Sequence, residues 1–400
     1  MAVVKAHPKV PAAHYYLARA YAVLGRKPDA QAAYQEALRL NPQFREAKDE
    51  LGLMSGQKPD YAKQIEQLRA SLKNDSKNVV AREMLARTLI QSGQIKEAQS
   101  ELKTLLDQAP THAEANFLMA QVLAQQGNVD EGANHLRATL RANSSHLGAH
   151  LLLGSYLERK GQLQQAVDEY ESALRVNPNL LDVKLQLGSL YAKTGRLPDA
   201  LRVARELEQL APRSPAPPLL KGLVLLSQNN GQGAIEAFNT VLKIKPDTLD
   251  AHRGLGQAYQ QLGQNDQAVE SYRRALALND KDVASLNNLA WILAEVRKKP
   301  DEALPLANKA EQLAPGSPEV LDTLGWIQYR RGAYAEAEKS LSLAADKAPN
   351  NATMRYHLGM TYARLGRKAD AVSALRRAAQ LDPKLGQSEK IDEMIRQLGG

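Results

Sequence analysis

Histidines, carboxylates and hydroxyls are the side chains in this sequence that could do chemistry. His146 and His150 stand four residues apart, a separation that places two imidazoles on one helical face, where they could share a metal ion. A longer spacing argues against that use. His14, His150 and His252 fall in one slot of a 34-residue period, and His112 and His146 fall in another. A slot that recurs at a fixed period is a packing or surface position. The chain has no cysteine, which excludes disulfides, thiolate metal sites and cysteine catalysis. Asp, Glu and Ser are scattered without a grouping of nucleophile, base and orienting residue. The glycines are single, not gathered into a phosphate-cradling loop. The sequence reads as non-enzymatic, with no cofactor and no metal.

Residues suited to binding a partner are better defined. The two tryptophans lie in matching segments, Asn287-Asn288-Leu289-Ala290-Trp291 and Asp322-Thr323-Leu324-Gly325-Trp326. They are expected in adjacent helices, with Tyr329, Arg330, Tyr356 and Arg364 close by. Trp, Tyr and Arg are the types enriched at binding hot spots. The first candidate site is therefore Asn287, Trp291, Asp322, Trp326, Tyr329, Arg330, Tyr356 and Arg364. A binding role requires both tryptophans to be partly exposed. The competing reading is a structural tryptophan stack. Such a surface suits a peptide with an aromatic or acidic anchor. A glycan is a weaker second class, since aromatic rings also stack on sugars. The second candidate is an apolar stripe, Phe117, Leu151, Leu185, Leu219, Leu223 and Leu226, suited to an amphipathic helix or an extended apolar peptide. Its competing reading is packing against neighbouring helices.

The elements that position these residues follow from composition and period. Ala, Leu, Gln, Glu, Lys and Arg dominate the 400 residues, and all are good helix formers. A small residue, preceded by leucine except at Ala120 and Gly222, falls at Ala18, Gly52, Ala86, Ala120, Gly154, Gly188, Gly222, Gly256, Ala290, Gly325 and Gly359. Each step is 34 residues except the 35 from Ala290 to Gly325. A turn glycine follows most of them by seven residues, at Gly25, Gly93, Gly127, Gly161, Gly195, Gly263, Gly332 and Gly366, where positive φ ends a helix. A proline closes many units, at Pro42, Pro110, Pro178, Pro212, Pro246, Pro315, Pro349 and Pro383. The small residues belong where two helices of a hairpin cross closely. No single hairpin buries its apolar stripe alone, so hairpins must stack.

This pattern resembles the tetratricopeptide repeat family over residues 11–385. The resemblance implies an all-α, right-handed α-solenoid of about eleven 34-residue repeats, each first helix lining a concave groove. It places the groove lining mainly at the fifth and ninth residues of each repeat. Chaperone-binding members clamp a terminal carboxylate with Lys and Asn there, and this chain has no such pair. Glycosyltransferase-linked arrays carry an asparagine ladder at the sixth residue, where this chain has only Asn288. The segments at Asn287–Trp291, Asp322–Trp326 and Tyr356–Gly359 also resemble bacterial exported members of the family tied to exopolysaccharide production and the exosortase (PEP-CTERM) system.

Pro8 stands 34 residues before Pro42, so residues 1–10 are expected to be the remnant of a preceding repeat and the chain a segment of a longer protein. Ile391, Met394, Ile395 and Leu398 share one face of an expected helix over 388–398, within a capping segment 386–400. Irregular places are Pro59 and Gln64 in the second repeat, Ser214-Pro215-Ala216-Pro217-Pro218 with Asn229-Asn230 in the seventh, and Arg297-Lys298-Lys299-Pro300 in the ninth. They read as drift in a tolerant scaffold, with a bend near 211–218 as the sharper alternative. The formal charge of +8 is spread along the chain and suits solubility better than nucleic-acid binding. No apolar run approaches the roughly 18 residues that span a bilayer. The expected function is a protein-interaction scaffold taking a peptide or protein segment in its groove, within a secretion or exopolysaccharide-assembly complex of the bacterial periplasm or envelope. The alternatives are a cytoplasmic adaptor or co-chaperone, or the interaction region of a larger enzyme.

Overall fold

A computed structural model of the chain describes residues 9–23, 26–54 and 60–400. Pro8, Gly25 and Pro59, on which the repeat reading drew, lie outside the described residues. Helices follow one another across short turns, and the described residues contain no strand. Contacts divide the chain into two compact units, residues 1–160 and 161–400. Each unit is an all-α solenoid of stacked hairpins.

In the first unit Pro11–Val23 packs on Lys27–Leu40, Val79–Gln91 on Ile95–Gln108, and Ala113–Gln125 on Val129–Ala142. Arg45–Met54 and Tyr61–Asn74 come after the first pair, and Leu147–Arg159 is the last helix of the unit. In the second unit Leu163–Val176 precedes six pairs. These are Leu181–Lys193 with Leu197–Leu210, Ala216–Ser227 with Gly231–Ile244, Leu249–Gln261 with Asn265–Leu278, Val283–Trp291 with Pro300–Leu313, Pro318–Arg330 with Tyr334–Lys347, and Ala352–Arg364 with Lys368–Leu381.

Size complementarity sets each crossing. A Cβ added at Gly222 would lie 2.5 Å from the Phe238 ring, and one at Gly256 would lie 2.5 Å from the Tyr272 ring. At Gly325 and Gly359 the obstacles are Leu341 at 2.6 Å and Leu375 at 2.8 Å. In these four pairs the large partner stands sixteen residues after the small one. Phe238 also reaches the next repeat, where a Cβ on Gly254 would meet its ring at 2.3 Å. Phe238 and Tyr272 are fully buried, and burial of such a side chain stabilises by roughly 1.5–3 kcal/mol.

Polar side chains hold the turns. Asn41, Asp75, Asn143, Asn177 and Asn279 each accept from the amide two residues on. Asn78, His112, His146, Asp282 and Asn351 then cap the next helix, accepting from the amide three residues on. Arg82, Asn116, His150, His252 and Arg355 donate to the carbonyl six residues back, in the closing turn. The two histidine slots are thus a cap and a turn tie. Asn229 replaces the turn glycine with φ 56°, as its tolerance of the left-handed region allows.

At the irregular places the structure refines the sequence reading. The helix after Ser214-Pro215 starts at Ala216, so the prolines delay it by a single residue relative to the period. Pro217 and Pro218 fall in its first turn, where a missing N–H breaks no helical bond. Segment 211–218 lies inside the second unit. The inserted residue of the ninth repeat is absorbed by a π-helical turn, Ile292–Val296, followed by Lys298 at φ 56°. The expected capping helix is present but starts at Ile391 rather than at 388. Pro383–Ser388 and Ile391–Gln397 are separate helices, broken at Glu389 and Lys390, with Lys390 at φ 51°. Ile391 and Ile395 still bury against Leu375 and Ala378, and Met394 and Leu398 pack beside them.

A Cβ at Gly188 would lie 2.6 Å from Leu220 Cδ2 and 3.1 Å from Val203 Cγ1. Gly188→Leu is therefore expected to cost about 1–3 kcal/mol by overpacking. Gln164 is exposed and bonds only Asp168 in its own helix, so Gln164→Ala should stay within about 0.5 kcal/mol of the parent. Thermal melts of the two variants check this, and equal melts would contradict the assigned crossing.

Candidate functional site

Three consecutive first helices of the second unit, Val283–Trp291, Pro318–Arg330 and Ala352–Arg364, carry the first candidate site. Position by position, the structure sorts its residues into a buried set and an outer set. Trp326 is only 7% exposed. Its ring stacks on Tyr329 at 4.7 Å and on His357 at 4.1 Å between centroids. Its indole N–H donates to Glu295 Oε2 at 3.0 Å. The exposure that a binding role requires of both tryptophans is not met by Trp326, whose donor is already used and which fits the structural reading. Asp322 is also buried, and its carboxylate accepts from His357 Nδ1 at 2.8 Å. Tyr329 and Tyr356 are buried too. The Tyr356 hydroxyl donates to Glu389 Oε2 at 2.9 Å, and burial, with that carboxylate adding to it, pushes the phenol's pKa up.

The outer set is Asn287, Trp291, Arg330 and Arg364. Trp291 is half-buried, its ring 5.8 Å from His357 and its edge against the cluster of Trp326, Leu341 and Leu358. Asn287, one turn earlier, is also half-buried, and its Oδ1 is a buried acceptor without a partner. Arg330 and Arg364 are exposed. The Arg364 Nε donates to the Tyr329 hydroxyl at 3.3 Å, a neutral acceptor that leaves the guanidinium charge uncompensated. Arg330 stands 3.7 Å from Glu295, which also takes Lys298 at 3.2 Å. Glu295 sits in the π-helical turn, so the turn that absorbs the insertion carries the carboxylate that fixes Trp326. Asn288 faces inward and donates to the Tyr272 hydroxyl at 3.1 Å.

The apolar stripe separates by unit. Phe117 and Leu151 belong to the first, both half-buried, with the Phe117 ring 4.5 Å from that of His146. Leu185 and Leu219 are half-buried in the second unit, and Leu223 is exposed at 46%. Leu226 is corrected: it is buried in the cluster of Ile235 and Phe238 and belongs to the core.

Comparison with known proteins gives consistent family matches. The family described as "Tetratricopeptide repeat" matches residues 253–318 and 323–385 and, in a second form, residues 11–44. "TPR repeat" matches 222–263, and "Tetratricopeptide repeat protein 21 C-terminal ARM domain" matches 30–216. Among relatives, the "TPR repeat-containing protein PA4667" of Pseudomonas aeruginosa is 29% identical over 141 residues, 35% of this chain and 24% of that protein. The "Type IV pilus assembly protein PilF" of the same species is 33% identical over 128 residues, 30% of this chain and 50% of that protein. The matched segments therefore span a quarter and a half of those relatives. Among solved structures, the "APC/C hetero-tetramer Cut9-Hcn1" matches with a TM-score of 0.52 at 15% identity, covering 96% of this chain and 89% of that one.

Three residues that organise the site were missed in the sequence. His357 and Glu389 carried no periodic signal, and Glu295 lay where the period slips. The slip itself was the one available pointer to Glu295. Because buried Trp326 stacks on two rings and its N–H is bonded, Trp326→Ala is expected to cost about 3–5 kcal/mol. Half-buried Trp291 should cost clearly less on the same change. Chemical denaturation of the two variants checks this, and an equal loss would contradict the sorting into buried and outer sets.

Proposed function

The chain belongs to the tetratricopeptide repeat family, and on that premise we propose that it is a non-enzymatic scaffold holding a peptide or protein segment against the first helices of its last three repeats. The observation that carries this is the sorting of the C-terminal site. A buried stack of Trp326, Tyr329, His357 and Tyr356 makes a firm base. Trp291, Arg330 and Arg364 stand at its edge, beside half-buried Asn287, with apolar area and two exposed guanidinium groups. Flat aromatic area beside the uncompensated charge of Arg364, with Arg330 paired only to Glu295 at 3.7 Å, suits a segment with an aromatic or acidic anchor. Sugar stacking is a weaker use, because the Trp326 face is already covered by His357 and Tyr329.

We place this scaffold in a secretion or exopolysaccharide-assembly complex of the bacterial periplasm or envelope. The support is the likeness of Asn287–Trp291 and Asp322–Trp326 to exported members of the family, together with the match to a pilus assembly protein. No helix among the described residues is long and apolar enough to cross a membrane.

The combined variant Trp291→Ala, Arg330→Gln, Arg364→Gln is expected to lose binding of a fluorescent peptide carrying one phenylalanine among glutamates. Its helical content and cooperative melt should persist. Fluorescence anisotropy beside circular dichroism checks both. Peptide binding that survives in the folded variant would move the site to the apolar face at Leu185, Leu219 and Leu223.

A further inference from the structure

We propose a second binding site on the other helix layer, in the first unit: a cavity that takes an aromatic group bearing an O–H or N–H donor and one nearby carboxylate. The cavity, about 730 Å³, lies between Ile95–Gln108 and Val129–Ala142, with Asn116 and Met119 of Ala113–Gln125 in its lining. It does not depend on the C-terminal site.

Comparison of equivalent repeat positions shows what is particular to this cavity. In the preceding repeat the fourth and twenty-third residues are Arg82 and Glu101, an ion pair at 2.5 Å. In this repeat the same positions hold Asn116, much shorter than the arginine, and His135, joined Oδ1 to Nδ1 at 2.8 Å. Asn116 is almost fully buried at 3% exposure. Its amide N–H groups donate to the Pro110 carbonyl at 3.0 Å and the His112 carbonyl at 3.1 Å. Only its oxygen is left to face the imidazole, so His135 Nδ1 must be the donor. In a neutral ring that makes Nε2 an acceptor, and among the described residues nothing donates to it. Burial holds the His135 pKa below its ordinary value, with Glu131 acting the other way. The imidazole is thereby kept in the form that accepts.

The remaining lining defines the ligand. Met119 and Leu106 supply apolar area, and a thioether favours an aromatic ring beside it. Lys96 and Lys103 stand seven residues apart on one helix, about 10 Å along its axis. Both are exposed, and neither is in an ion pair among the described residues. They can take a carboxylate. Asp107 and Glu131 also reach the lining, which disfavours a ligand with more than one negative charge. The chemistry is met by a free hydroxyaromatic acid or by a tyrosine next to an acidic residue in a partner protein.

The test titrates the full chain with 4-hydroxyphenylacetate and, separately, with a tyrosine–glutamate peptide, following the His135 ring nitrogens by NMR. A saturable shift of Nε2 is expected with at least one probe, and the responding probe identifies the source. Phenylacetate, which lacks the donor, should bind about tenfold more weakly than 4-hydroxyphenylacetate, and His135→Leu or Lys96→Gln with Lys103→Gln should weaken binding by a similar factor. No saturable shift with either probe, or equal binding of phenylacetate, would overturn the proposal even if a variant failed to fold.

Discussion

Everything in this chain depends on helices that cross with no room for a side chain at the point of contact. Gly222 and Gly256 are occupied from outside by the rings of Phe238 and Tyr272, and Gly325 and Gly359 by Leu341 and Leu375. The pairing fixes the hairpin angle in one repeat. Phe238 then carries it onward, because the same ring fills the space at Gly254 in the next repeat. A solenoid built this way has stability that is close to a sum of repeat and nearest-neighbour terms. Its turns need their own satisfaction, supplied by capping Asn, Asp and His residues and by ties such as His252 to the Pro246 carbonyl. Freed from holding the frame, the outer positions of the first helices can diverge to meet a partner.

One departure from the period has the largest local effect. The extra residue of the ninth repeat is taken up in the π-helical turn Ile292–Val296, and that turn carries Glu295 to the Trp326 indole. Trp326, His357 and Asp322 then form a stacked and hydrogen-bonded chain across two repeats. The result is a rigid base under Trp291, Arg330 and Arg364. Rigid support beneath a few exposed hot-spot types lowers the entropy lost when a partner is held.

The fold was legible because the period repeats a physical requirement. Each small residue marks a crossing, and each turn glycine marks a left-handed position, as Gly93 at φ 81° does. The large partner sixteen residues on was equally periodic but varied between Tyr, Phe, Leu and Ala, so identity hid it. The site was legible only in outline. The sequence placed the tryptophans in adjacent helices and drew Arg330 and Arg364 near them. It could not say which ring turns inward, because that is decided by His357 and Glu295, residues that follow no repeat. Leu226 was misassigned for a related reason. Its place in the stripe matched Leu223, but one is covered by Phe238 and the other is exposed.

The two tryptophans divide the labour, Trp326 structural and Trp291 available to a partner. Acrylamide quenching of the single-tryptophan variants Trp291→Phe and Trp326→Phe tests it directly. With only Trp326 present, emission should be shielded from quencher and unmoved by an aromatic–acidic peptide. With only Trp291 present, quenching should be several-fold stronger and the peptide should reduce it. Equal quenching of the two, or peptide protection of Trp326 alone, would contradict the account.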